Sequence, residues 1–136
     1  MKEFETAASV DALENVIAFI DEQLETADCP MKIQMQIERA VEEIFVNIAS
    51  YAYPDGNGTA GVRIYFEGDP ITAVITFTDS GIQYDPLAKE DPDVTLSAEE
   101  RGIGGLGIFL TKKTMDDVSY EYRDGKNVLT MKKKLV

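Results

Sequence analysis

The sequence predicts an α+β fold: a two-layer sandwich with a mostly antiparallel mixed sheet and helices on one face. Three observations carry this. Two segments near the start repeat their apolar residues every three or four positions, as helices with one buried stripe do. Four later segments alternate apolar and polar residues, the period of a half-buried strand. The helical segments come mostly before the strands rather than alternating with them, which favours α+β over α/β.

Taken in order, residues 2–8 give a weak strand pattern. A helix is expected from about Val10 to Ala27, with Ser9 as N-cap and Val10, Leu13, Val16, Ile17, Ile20 and Leu24 on its buried stripe. Pro30 breaks the chain and opens a second helix, Met31 to Ala52, whose buried face is Ile33, Ile37, Val41, Ile44 and Ile48. Gly61 to Glu67 alternates with Val62, Ile64 and Phe66 on one side, and Gly68-Asp69-Pro70 is a turn. Ile71 to Thr78 puts Ile71, Ala73, Ile75 and Phe77 on one face and threonines on the other, as in a sheet covered on one side. A short helix is expected from Ile108 to about Met115. Val118, Tyr120 and Tyr122 begin a hairpin that turns at Asp124-Gly125 and returns over Asn127 to Lys134. Between the strand pairs lies a connection, Asp79 to Arg101, rich in charge and holding Pro86 and Pro92; Ser97 and Glu100 have the spacing to cap a short helix within it. Loops of that length inside a domain are usually functional or disordered.

Composition narrows the function. The 136 residues fit a single domain, 1–136, able to bury a core without staples. Cys29 is the one cysteine, so no intrachain disulfide forms. There is no histidine, which removes His-ligated zinc, Ser-His-Asp and Cys-His triads and phosphohistidine chemistry within this chain. A net charge of −12 argues against nucleic acid as a direct partner and suits a basic protein surface, or simply solubility. No apolar run reaches the ~20 residues that span a membrane, and the N-terminus has no signal-peptide hydrophobic stretch, so a cytoplasmic location is expected.

Three short patterns could carry chemistry. Glu43 and Asn47 stand four apart on the second helix, one turn above the other, on a flank of its apolar stripe. Alone, such a spacing is an ordinary solvated pair; at a cleft it is a carboxylate for proton handling beside an amide oxygen that can ligate Mg²⁺. Asp79-Ser80-Gly81 follows a strand directly: a plain turn, or an acceptor in a pocket beside a residue that lets a flat ligand approach. Gly102-Ile103-Gly104-Gly105-Leu106-Gly107 opens a helix and offers backbone N–H groups to an anion, or acts as a hinge. It lacks the Walker A lysine, and no βαβ unit surrounds it, so the dinucleotide reading of its glycines is poor.

In this order the three patterns resemble the ATP-binding domains of the GHKL group (Bergerat fold), the superfamily of gyrase, a heat-shock chaperone, histidine kinases and MutL. Glu42-Glu43-Ile44-Phe45-Val46-Asn47 resembles the N box, Asp79 to Pro86 the first glycine box, and Arg101 to Leu110 the second. The aromatic-Asp-Pro ending Tyr84-Asp85-Pro86 is similar to that of stand-alone anti-sigma-factor serine/threonine kinases. The resemblance implies ATP and Mg²⁺ as cofactors. It implies Asn47 as the Mg²⁺ ligand, Glu43 as catalytic base, and Asp79 as acceptor from the adenine amino group with Gly81 admitting the ring. Gly102, Gly104, Gly105 and Gly107 would wrap the phosphates, Arg101 would meet phosphate or partner, and 82–101 would be a lid. The implied partners are a sigma factor and a small antagonist protein that receives phosphate; a homodimer is left open. Where many relatives have a histidine, four residues after Asn47, this chain has Tyr51. Two readings compete with the kinase: a nucleotide-gated binder that transfers no phosphate, and an acidic α+β interaction protein in which the motifs are coincidence.

Overall fold

The computed structural model describes residues 1–88 and 106–136. Its elements are β1 (Lys2–Ala7), a 3-10 turn (Val10–Ala12), α1 (Leu13–Thr26), α2 (Met31–Tyr51), β2 (Thr59–Glu67), β3 (Thr72–Asp79), a second 3-10 turn (Pro86–Ala88), α3 (Leu106–Thr114), β4 (Asp117–Arg123) and β5 (Lys126–Lys134). The strands form a five-stranded sheet in the order β1-β2-β3-β5-β4. Each of these neighbouring pairs is antiparallel, so among the described residues the sheet is not mixed.

Register decides which side chains face the helices. Val62 pairs with Phe77 and Ile64 with Ile75, while Phe77 and Ile75 in turn pair with Leu129 and Met131. This apolar row meets Val16, Ile20 and Leu24 of α1 and Ile37, Val41, Ile44 and Phe45 of α2 in one buried cluster. Phe4 on β1 closes one side by stacking on Phe19, with ring centroids 5.4 Å apart. The opposite face of the sheet is polar, with Arg63 paired to Glu3 at 3.0 Å and Lys132 to Glu67 at 3.5 Å. The threonine-rich face has an exception: Val74 is buried there, because β3 lies between β2 and β5 and its register partners Tyr65 and Lys132 flank it.

Two expected core residues are exposed. Val10 lies in the 3-10 turn ahead of α1, where the tighter winding takes it off the stripe that Leu13 begins. Ile71 sits in the turn before β3 starts at Thr72. Ser9 caps the 3-10 turn rather than α1, accepting from the Asp11 N–H at 3.3 Å. Pro30 is the N-cap residue of α2, and its carbonyl accepts the first helical bond, from Gln34 at 2.9 Å.

The hairpin β4–β5 turns at Asp124 and Gly125, both at positive φ (54° and 77°), the requirement of a type I′ turn. At the other end of the hairpin, the Lys133 ammonium donates to the Thr114 carbonyl at 2.7 Å and so caps the C-terminus of α3. The expected helix cap at Ser97 and Glu100 lies outside the described residues.

Candidate functional site

The site begins where the core becomes polar. Alternation along β3 puts Ala73, Ile75, Phe77 and then Asp79 on the same side. Asp79 is therefore the acidic end of a buried apolar row, itself buried at the last position of the strand. Its Oδ1 accepts from the Gly81 N–H at 2.9 Å and from the Asn127 amide at 2.9 Å. Both bonds fall on one carboxylate oxygen.

Beside Asp79 lies a cavity between α2 and the sheet. Ile44 and Ile48 of α2 and Phe77 and Leu129 of the sheet form its apolar walls. Asn47, Asp79 and Asn127 supply its polar groups, and Ile82, Tyr84 and Pro86 cover it. The open space is about 30 Å³, enough for a water molecule and too little for an aromatic ring.

Gly81 does not line this cavity. A Cβ at this position would stand 2.2 Å from the Ala52 carbonyl oxygen, so glycine is required by the protein's own packing against the end of α2. The neighbouring Ile82 N–H donates to that same carbonyl at 2.8 Å. Tyr53 adds a second stitch: its hydroxyl accepts from the Ser80 N–H at 2.9 Å and donates to the Thr59 carbonyl at 2.7 Å.

The second half of the site is on α2, with Glu43 and Asn47 one turn apart. The Asn47 amide donates to Glu43 Oε1 at 3.3 Å and reaches the Glu43 carbonyl at 3.5 Å. Neither bond uses the amide oxygen of Asn47, which is the atom a hard cation would take. The start of α3 packs on Glu43 so closely that a Cβ on Gly107 would lie 2.1 Å from the Glu43 carboxyl carbon. Burial raises the Glu43 carboxyl above the usual range, and the neighbouring charge of Glu42 raises it further; the bond from Asn47 works in the opposite direction. A half-buried carboxylate of raised basicity beside an amide oxygen and a helix start is an arrangement suited to taking a proton near an anionic ligand.

Glu43, Asn47, Asp79, Gly81 and Gly107 are thus placed: Glu43, Asn47 and Gly107 meet at one end, and Asp79 with Asn47 at the cavity. Arg101, Gly102, Gly104 and Gly105 lie outside the described residues.

Sequence reasoning missed the residue with the densest bonding at the site. Asn127 is buried on β5, and its register partner is Asp79. Its Oδ1 accepts from the Tyr84 N–H at 3.1 Å and from the Tyr120 hydroxyl; its Nδ2 donates to Asp79 and, at 2.8 Å, to the Ile82 carbonyl. The available signal was the alternation Asn127, Leu129, Met131, which puts an amide on an inward row. Burial raises the Tyr120 phenol above its ordinary value. Tyr51, four residues after Asn47, is exposed, its ring 6.0 Å from that of Tyr84.

Comparison with known proteins identifies the family. Residues 6–133 match the histidine kinase-like ATPase domain family. Among curated proteins, a serine/threonine-protein kinase, BtrW, of Bordetella bronchiseptica is 27% identical over 100 residues, 74% of this chain and 70% of that protein. The serine-protein kinase RsbW of Listeria monocytogenes is 32% identical over 68% of this chain, and the match spans 61% of that protein. Among solved structures, the SiaB-SiaC complex of Pseudomonas aeruginosa contains a chain with TM-score 0.62 and 18% identity, covering 98% of this chain and 89% of that one. The RsbU and RsbW domains of a Mycobacterium tuberculosis protein give TM-score 0.61 at 15% identity, over 99% of this chain and 33% of theirs. The matched residues run from β1 to the last strand, and the chain belongs to the family of histidine kinase-like ATPase domains.

Proposed function

We propose that the chain is an ATP- and Mg²⁺-dependent serine/threonine protein kinase of the anti-sigma-factor type, which phosphorylates a small antagonist protein and holds a sigma factor when not so engaged. The observation that carries this reading is the position of Asn47, which lines the cavity beside Asp79 and bonds to Glu43, on which the start of α3 packs. The serine-kinase names of BtrW and RsbW support it.

The residues fit an adenine nucleotide. Asp79 has one carboxylate oxygen occupied by protein donors and a second to offer an exocyclic amino group. The apolar walls suit the two faces of a purine ring. Asn47 would hold Mg²⁺ through its amide oxygen, and the bound ion would neutralise phosphate charge. Phosphoryl transfer then asks little covalent help of the protein: the phosphates held, and an acceptor hydroxyl placed in line with a base nearby. Glu43 takes the hydroxyl proton at its carboxylate, and its raised basicity makes it better at that than an exposed glutamate. Gly107, Gly105, Gly104 and Gly102 would present backbone N–H groups to the phosphates, with Arg101 beside them. The net charge of −12 suits a basic partner surface, such as the DNA-binding face of a sigma factor.

The test is incubation with γ-labelled ATP and the proteins encoded beside this one. Label on a partner serine or threonine, lost in Glu43→Ala while calorimetric ATP binding persists, supports the kinase. Partner binding that responds to nucleotide without any label would establish the second reading, a nucleotide-gated binder.

A further inference from the structure

We infer that the groove between α2 and α3, with Arg39 and Glu43 on one wall, receives the phosphate-accepting segment of the partner protein, and that this segment carries a carboxylate close to its hydroxyl. The inference rests on the kinase reading above and adds to it an entry side, a docking cation and the charge of the substrate.

Arg39 stands four residues before Glu43, so the two lie one turn, about 5.4 Å, apart along the same side of α2. Both line the groove, and Gly107 and Leu110 of α3 form the facing wall. The groove therefore opens onto the carboxylate that the kinase reading makes the base. It continues along α2 into a second hollow that shares Arg39 and is lined by Met31, Lys32 and Met35. Met31, Met35 and Leu110 are all exposed. Three large apolar side chains along one channel are more than the scattered apolar residues of an ordinary surface, and methionines adapt to the shape of what they contact.

Charge selects the occupant. The chain carries −12, and on the α1 side of α2 the groove beside Val10 is lined by Asp11, Glu14 and Glu42. On the α3 side the sign reverses. Lys32 and Arg39 are both exposed, and among the described residues no carboxylate forms an ion pair with either. An unpaired guanidinium beside exposed apolar side chains is a fork for a carboxylate that arrives with apolar neighbours. The complement of this surface is an acidic segment with apolar side chains. Glu43 fixes the segment's placement: its own negative charge repels a carboxylate there and leaves room for a neutral hydroxyl. In an extended chain, alternate residues stand about 6.6 Å apart on one side, close to the one-turn spacing of Arg39 and Glu43. The carboxylate therefore belongs within two residues of the accepting serine or threonine.

The experiment uses the full chain, and its probe is the neighbour-encoded protein that takes label from γ-labelled ATP. The variants are Arg39→Gln, Arg39→Glu and Leu110→Ala, all at exposed positions where substitution leaves the fold intact. Acceptor KM, ATP affinity by calorimetry and the urea midpoint are measured for each. Acceptor KM should rise about tenfold in Arg39→Gln, the loss of one charge-assisted contact. It should rise about fivefold in Leu110→Ala, the loss of part of an apolar contact. ATP affinity and urea midpoint should stay where they are in both. Arg39→Glu should recover about tenfold in acceptor KM when the acidic residue within two positions of the labelled hydroxyl is changed to lysine, an exchange that cannot rescue a merely structural role. An acceptor with no acidic residue in that window, an unchanged KM in Arg39→Gln, or failure of the charge exchange overturns the docking. So does a loss of ATP affinity in Arg39→Gln with acceptor KM unchanged, which would give Arg39 to the nucleotide phosphates. Wild-type protein that binds ATP and labels no acceptor overturns the kinase reading, and the docking with it, before any variant is compared.

Discussion

Two carboxyl groups meet across the α1–α2 interface, and their proton should make stability depend on pH. Asp21 of α1 has a buried Oδ1 with no hydrogen-bond partner among the described residues. Glu38 of α2 is raised from an ordinary 4.5 to about 7, first by a side-chain hydrogen bond with Asp21, then by burial and the charges of Asp21 and Glu25. A proton held on Glu38 relieves the repulsion that the nearby Asp21 and Glu25 carboxylates exert on its charged form. Glu25 is approached by the Gln34 amide, at 3.5 Å.

The sign follows from linkage. Between 4.5 and about 7 the folded chain holds a proton at this pair that the unfolded chain has lost, so stability falls as pH rises through that window and levels off above it. Counted in full, the change is about 3 kcal/mol. The pair is partly open to water, and screening there reduces the expected effect to about 1 kcal/mol. Glu38→Gln keeps a donor toward Asp21 and removes the titration. Urea unfolding at pH 5 and at pH 8 should show the variant matching wild type at the lower pH. At the higher pH it should gain about 1 kcal/mol, or roughly 0.5 M in midpoint. Parallel pH profiles for the two proteins would refute the proton held on Glu38.

Three further outcomes are expected. Calorimetry should show ATP preferred to GTP, and Asp79→Ala should weaken ATP by about 1–3 kcal/mol, since the adenine amino group loses its buried acceptor; equal affinities for ATP and GTP would remove Asp79 from that role. Gly81→Ala should lower stability by about 1–3 kcal/mol in thermal unfolding, because its methyl meets the Ala52 carbonyl rather than a movable side chain; a neutral substitution would show that the end of α2 gives way freely. Amides of 82–88 should exchange faster than those of β3 without nucleotide and slow when ATP is added; equal protection before and after ATP would show that this cover does not respond to ligand.

Periodicity determined the order of the elements and the main buried stripe of the long ones, because period is a property of the local chain, while Val10, Ile71 and Val74 depart from it where an element ends or a strand is flanked on both sides. The stripe from Leu13 to Leu24 and the row Ala73, Ile75, Phe77 are where alternation put them. The spacing of Glu43, Asn47 and Asp79 was legible, and a short spacing becomes a candidate site only when other elements close around it. What tertiary structure alone decided is pairing. That α3 would press Gly107 onto Glu43, and that Ala52 would occupy the space beside Gly81, depends on how separate elements dock, and nothing within either segment encodes the distance. Asn127 is the clearest case: it lies 48 residues from Asp79, and only the register of β3 against β5 puts its amide on that carboxylate and on the chain that covers it.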